Sequence, residues 1–360
     1  MGVIRVTTDP GIEDIAADEL RTLLDDKRVA IVRVGTDVFS LPGVVAAELS
    51  PEPPIDLVQE TLFHCKSIYH VVVHVGEVSW GGRPLDELAR DIARLPFERL
   101  NSDTTFRVSC SRAGEHPFHS PDVEREVGTA IQARFSCPVK LTRPDLNLRV
   151  DIVGDRCLCG YQLTGKKGLD RRYPWRYHPR VTLRTTIAYS MLRIAGFVDR
   201  PGALLDPFCG SGTILLEAAS VVHARLAPGI PLVGSEIRKT AVDGCRLNIE
   251  AAGFSDLVSV RRSDALELAA WAKPSSLDYI VTNPPFGIRL GANRNLAALY
   301  AGFLKQASIV LRPGGVLAML VAKRGAFNRV LGGFDSFHLL HVRIIEIGGV
   351  FPGLFVLRRV

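Results

Sequence analysis

The chain has 360 residues, 47% hydrophobic and 23% charged, the composition of globular domains and enough length for two or three of them. It lacks a run of eighteen uncharged apolar residues and opens directly into Arg5 and Asp9, so neither a membrane span nor a signal peptide is expected. The seven cysteines are scattered, and Cys157 and Cys159 lack a second pair at zinc spacing; reduced thiols in a cytoplasmic protein without a metal are the expectation.

The net charge of +6 is unevenly spread. Residues 1–60 hold five Lys/Arg against twelve Asp/Glu, residues 61–180 nineteen against fourteen, and residues 181–360 twenty against twelve. The excess of positive charge therefore lies in the last two thirds, where it suits a nucleic-acid partner.

The first stretch, residues 1–54, reads as a small β-α-β-β unit. Val3 to Thr7 is extended, and a Pro10-Gly11 turn leads into a helix with Ile12, Ile15, Ala16, Leu20, Leu23 and Leu24 at helical spacing. Ala30–Val34 and Val38–Leu41 read as a hairpin around Gly35-Thr36-Asp37, and Pro42–Pro54, with four prolines, as a connection.

Residues 55–165 alternate again. A helix with Leu57, Leu62 and Cys65 precedes a strand at Val71–Val75, and a helix at Leu85–Leu95 precedes a strand at Thr105–Ser109. A polar loop, Ser111–Ser120, leads into a helix at Val123–Phe135, and strands at Leu146–Val153 and Cys157–Leu163 close the unit. His116 and His119 have no third ligand beside them, so a structural place in the loop is expected rather than a metal. Residues 166–180 form a basic linker. Lys166, Lys167, Arg171, Arg172 and Arg176 alternate there with Tyr173, Trp175, Tyr177 and His178, a pattern suited to a phosphate backbone with unstacked bases.

Residues 181–360 are the most legible. A helix near Thr186–Gly196 is followed by the strand Ala203–Leu205, the turn Asp206-Pro207-Phe208-Cys209-Gly210-Ser211-Gly212-Thr213 and the helix Ile214–Val222. Two glycines let the backbone approach a ligand, and a helix N-terminus favours an anion. No Gly-Lys-Ser/Thr follows and the third glycine of a dinucleotide fingerprint is absent, which favours a single carboxylate, as in S-adenosylmethionine, over a pyrophosphate. The next strand ends at Glu236, placed to receive ribose hydroxyls, and another at Asp264-Ala265, placed for an adenine amine. The fourth, Leu277–Thr282, ends in Asn283-Pro284-Pro285-Phe286. The two prolines fix an extended rim that offers carbonyl oxygens but no N–H. Asn283 and Pro284 can accept the two protons of an exocyclic amine, with Phe286 against the ring. Four strand ends in succession thus carry Asp206, Glu236, Asp264 and Asn283.

The two motifs together make this α/β region resemble a class I S-adenosylmethionine-dependent methyltransferase with a Rossmann-like fold. The middle region is similar to a THUMP domain in Phe106-Arg107-Val108, the Ser111–Ser120 loop, Val127-Gly128, Pro144-Asp145-Leu146 and the Gly165–Arg176 exit, and the Pro10–Glu13 opening resembles the α+β ferredoxin-like piece that precedes it. The resemblance implies an RNA guanine-N2 methyltransferase, most like those that modify guanosine 6 in the tRNA acceptor stem, acting as a monomer with THUMP gripping the 3′-CCA end. It implies catalytic roles for Asn283, Pro284 and Phe286. It also implies cofactor contacts from Val181, Thr182, Leu183, Asp206, Phe208, Gly210, Ser211, Gly212, Thr213, Glu236, Asp264, Ala265 and Asn283. RNA contacts fall to Arg112, His116, Lys166, Lys167, Arg171, Arg172 and Arg176. Ribosomal-RNA guanine-N2 methyltransferases share both modules and stay open as the alternative, as does a non-catalytic RNA-binding protein.

Overall fold

The computed structural model describes residues 2–165, 167–180, 182–227, 229–286 and 296–360. Two compact units divide the chain: Met1–Thr8 with Ala16–Leu169, and Asp9–Ile15 with Asp170–Val360.

The first unit is built on a seven-stranded sheet. Its strands are β1 (Gly2–Thr7), β2 (Ile31–Gly35), β3 (Val44–Leu49), β4 (His70–Ser79), β5 (Phe106–Ala113), β6 (Leu146–Val153) and β7 (Arg156–Gln162), in the order β2-β3-β1-β4-β7-β6-β5. Every pairing is antiparallel except β5 with β6. The helices are α1 (Glu13–Asp26), α2 (Ile55–Leu62), α3 (Leu85–Ala93) and α4 (Ser120–Phe135). One core gathers Leu20 and Leu24 of α1 with Val6, Val45, Leu49 and Val71; another gathers Leu88, Ile92, Val127 and Ile131 with Phe106, Leu148 and Val150. The helix and strand periods of the sequence account for both.

Two expectations change here. Residues 37–40 form a turn, not the second strand of a hairpin, and β2 pairs with β3 inside the proline-rich stretch. All four prolines lie outside Val44–Leu49, so this run has its N–H groups free to pair with β1 on one side and β2 on the other. The Ser111–Ser120 loop is shorter than expected at its start, because β5 continues to Ala113 in parallel register with β6 as far as Val153.

The second unit carries a seven-stranded sheet of order β10-β9-β8-β11-β12-β14-β13, from β8 (Leu204–Asp206), β9 (Leu232–Glu236), β10 (Val258–Arg262), β11 (Leu277–Thr282), β12 (Leu311–Val321), β13 (Phe337–Ile344) and β14 (Gly353–Arg359). The first five strands in this order are parallel, and β14 runs antiparallel to both of its neighbours, β12 and β13. Its helices are α5 (Thr185–Ile194), α6 (Thr213–Ala224), α7 (Lys239–Ala251), α8 (Leu296–Val310) and α9 (Arg324–Leu331). From β8 the chain adds β9 and β10 on one side and then β11 and β12 on the other, so the strand order reverses between β8 and β11 and opens a crevice at the carboxyl ends. The segment Asp9–Ile15 belongs to this unit. Asp9, fully buried, accepts from Arg184 Nη1 and Thr186 Oγ1, both at 2.6 Å, while Asp14 pairs with Arg343. Among the described residues no helix is long and apolar enough to cross a membrane.

Candidate active site

The site lies at the reversal point of the second sheet. Asp206 closes β8 and is 2% exposed; its Oδ1 accepts from Thr282 Oγ1 at 2.6 Å and from the Phe208 N–H at 3.2 Å. Thr282 closes β11, so this one hydrogen bond spans the two strands between which the order reverses. Burial pushes the Asp206 carboxyl up to about 7; its two hydrogen bonds pull against that rise, and the nearby Glu236 charge adds to it.

The turn after β8 is shaped by its glycines. Gly210 and Gly212 take φ of 51° and 90°, and Gly212 caps α6 with no side-chain oxygen over the first amides. A Cβ on Gly212 would stand 2.7 Å from Cys245 Sγ, so no other residue fits there without displacement. The Cys209 N–H donates to Ser235 O at 3.0 Å, tying the turn to the end of β9, and Ser211 and Thr213 are buried beside it. Phe208 packs edge-on to Phe303 at 5.4 Å.

Glu236 ends β9 with 8% of its surface exposed, and its Oε1 accepts the Arg238 N–H at 3.1 Å and Nε–H at 3.2 Å. Asp264 follows β10, accepts from the Leu266 N–H at 2.9 Å and thereby caps a short 3-10 helix that begins at the buried Ala265. Asn283 follows β11. Its Oδ1 is buried and has no hydrogen-bond partner among the described residues, an arrangement that costs free energy unless a ligand supplies the donor. Pro284 is buried next to it, and Phe286 packs partly buried against the domain core. The order β10-β9-β8-β11 therefore sets Asp264, Glu236, Asp206 and Asn283 side by side along one edge of the sheet. Thr282 and Arg238 were missed in the sequence; a hydroxyl at the end of a buried apolar strand was the available sign for the first.

Of the remaining expected contacts, Thr182 and Leu183 precede α5, where the Thr182 hydroxyl donates to Pro179 O at 3.1 Å and Leu183 packs against the core. Val181 and Lys166 lie outside the described residues. Arg172 Nε pairs at 2.9 Å with Glu217, which is fully buried, and the Tyr173 hydroxyl donates to Leu216 O at 3.2 Å. Tyr173 and Trp175 pack, partly buried, against the domain core, so part of each ring is taken up by the protein's own apolar surface. Lys167, Arg171 and Arg176 are exposed.

Arg112 and His116 come together in the first unit. Arg112 Nη1 lies 3.1 Å from His116 Nδ1, and His116 Nε2 donates to Gly154 O at 2.7 Å, which leaves Nδ1 as the acceptor. Trp80 and Phe118 flank the imidazole at 5.0 and 5.4 Å, and the buried Arg112 Nε has no partner among the described residues.

Comparison with known proteins follows the same division. Residues 174–352 match the RMKL-like methyltransferase domain and residues 83–159 the THUMP domain. A tRNA (guanine(6)-N2)-methyltransferase of Thermus thermophilus is 36% identical over 358 residues, covering 99% of this chain and 99% of the relative. The crystal structure of TrmN from Thermus thermophilus is similar with a TM-score of 0.73 and 32% identity, covering 100% of both chains. That of SMU.472 complexed with SAH has a TM-score of 0.76 at 18% identity, covering 99% of this chain and 97% of its own, a likeness of fold.

Proposed function

The chain belongs to the THUMP-domain tRNA (guanine(6)-N2)-methyltransferases, and from that premise we propose that it methylates the N2 amine of guanosine 6 in the tRNA acceptor stem, as a cytoplasmic monomer. In this reading residues 55–165 grip the 3′-CCA end, with Arg112 and His116 at the contact, and the exposed Lys167, Arg171 and Arg176 follow the phosphate backbone. The observation that carries the proposal is the buried, unpartnered Oδ1 of Asn283 at the reversal point of the sheet.

The residues present fit S-adenosylmethionine. Glu236 and Asp264 hold its ribose and adenine, and the turn Gly210–Thr213 with the uncapped start of α6 receives its carboxylate. When bound, it supplies an electrophilic methyl group on a sulfonium. The protein's own part is positioning. The target guanine must leave the stack, because its amine cannot be aligned while paired. Asn283 Oδ1 and the Pro284 carbonyl accept the two amine protons and turn the nitrogen lone pair out of the ring plane, while Phe286 lies against the base. An aromatic amine needs no strong base before it reacts, and its surplus proton passes to water.

Asp206 gives this reading a pH signature. Its pKa of about 7 in the free protein leaves it about half protonated at neutral pH. A cationic ligand favours the carboxylate, so binding lowers that pKa and releases a proton. Affinity is accordingly expected to rise with pH between about 6 and 8, by at most about tenfold per unit. Titration calorimetry of S-adenosylmethionine at pH 7 in phosphate and in Tris checks this. The two enthalpies are expected to differ by the buffers' ionisation heats, and Asp206→Asn is expected to abolish the difference; equal enthalpies in the parental protein would remove the assigned role.

The assignment itself is tested with labelled S-adenosylmethionine and unmodified tRNA transcripts with and without CCA, digested and mapped by mass spectrometry. N2-methylguanosine in the acceptor stem, lost without CCA, is the expected result. Methylation of ribosomal RNA but not tRNA would move the substrate to the alternative, and methylation of neither would overturn the RNA reading.

A further inference from the structure

Helix α7 buries Ala241, Val242, Cys245 and Ile249 along one face, and Asn248 sits on that same face with 1% of its surface exposed. An amide among apolar residues is tolerated only when its hydrogen-bonding capacity is met. Here it is met completely. Oδ1 accepts the N–H groups of Arg176 at 2.9 Å and Tyr177 at 2.8 Å, and Nδ2 donates to Tyr177 O at 2.8 Å and Ser211 O at 2.9 Å. Two N–H groups on one side and two carbonyls on the other permit only this orientation of the amide.

The four bonds join two separate stretches: the basic segment at residues 176–177 and the turn at Ser211. The neighbouring positions on α7 serve the same pair of stretches. A Cβ on Gly244 would overlap the Tyr177 ring, so the ring rests directly on the helix backbone, while Cys245 closes against Gly212. Within the turn, the peptide joining Ser211 to Gly212 is held at both ends, its oxygen by Asn248 and its N–H by Cys209 O at 2.7 Å. The peptide plane between the two left-handed glycines is thereby fixed, and with it the direction of the amides at the start of α6.

We infer that Asn248 is a positioning residue for the cofactor turn, and that docking of the basic segment on α7 is part of what keeps that turn ready to bind. This rests on the reading of the turn as the S-adenosylmethionine site. Asn248 touches no reacting atom; it acts through Ser211. Because binding linkage is reciprocal, RNA that steadies the segment through the exposed Arg171 and Arg176 tightens the cofactor, and the cofactor tightens that RNA by the same factor.

Asn248→Asp keeps the acceptor for the two N–H groups but sets a carboxylate oxygen against the carbonyls of Tyr177 and Ser211. By calorimetry, its Kd for S-adenosylhomocysteine is expected to be ten- to a hundredfold weaker than parental. In turnover, the loss is expected in KM for S-adenosylmethionine more than in kcat. A merely structural defect would lower the active fraction and leave both constants for the cofactor alone. Gly244→Ala is the second variant: it leaves Asn248 intact and pushes Tyr177 off the helix, and it is expected to weaken the same Kd several-fold. Parental Kd in folded Asn248→Asp overturns the inference. Weakening in Asn248→Asp with parental Kd in Gly244→Ala overturns the part assigned to the basic segment. A parental protein that binds no S-adenosylhomocysteine overturns the cofactor reading itself, which separates that failure from the other two.

Discussion

Asn283→Ala is expected to lower kcat for methyl transfer by about a hundred- to a thousandfold, or about 2.7–4 kcal/mol of lost positioning, with KM for tRNA changed little. The Asn283 Oδ1 is buried without a partner among the described residues, so the cost of desolvating it has been met during folding and is recovered when an amine proton arrives. Alanine removes the acceptor and leaves the Pro284 carbonyl to hold one proton of the two. The amine then keeps a free rotation that spoils the aim of its lone pair. Asn283→Asp is the companion, since it retains an acceptor at the same place and is expected to stay within about tenfold of the parental rate. Single-turnover rates with saturating tRNA and cofactor measure both. An alanine variant at the parental rate would sink the assignment of Asn283, whatever the fate of the substrate.

The first four strands of the second unit were legible because each is a short run closed by polar residues, at Asp206, Glu236, Asp264 and Asn283. Asp206, Glu236, Asp264 and Asn283 could be named from those closing positions alone. What could not be read was which of them would be spent on the protein itself. Asp264 caps a 3-10 helix and Glu236 accepts twice from Arg238, while Asn283 Oδ1 is left without a partner. That difference depends on side-chain contacts across strands, to which periodicity is blind. The same limit explains Tyr173, Trp175 and Tyr177. Alternation of cations and aromatics is equally the pattern of a segment that buries its rings and exposes its charges, and only the apolar faces of α6 and α7 decide between the two. In the first unit, β3 was hidden by the prolines on either side of it. The proline content of Pro42–Pro54 reads as a connection, whereas pairing depends on the six residues Val44–Leu49, all free of proline.

Gly212→Ala is the other change expected to have a large effect: loss of about 2–4 kcal/mol of unfolding free energy and at least tenfold weaker binding of S-adenosylhomocysteine. Two separate costs enter. Its φ of 90° is a conformation that any L side chain occupies at a cost of about 1–2 kcal/mol, wherever the Cβ points. The Cβ also meets Cys245 Sγ at 2.7 Å, and neither atom can retreat freely, because Cys245 is fully buried on α7. A double-mutant cycle separates the costs. Cys245→Ala removes the overlapping sulfur, so Gly212→Ala in that background is expected to recover the packing part and retain the backbone part. Chemical denaturation gives the first comparison and calorimetric Kd the second. If stability recovers and affinity does not, the left-handed turn itself is what the cofactor requires. If both recover together, the turn tolerates a side chain at Gly212, and the affinity loss arose from displacement of α7. Full parental stability in Gly212→Ala alone would contradict both terms, since no rearrangement of a fully buried thiol accommodates the added methyl at no cost.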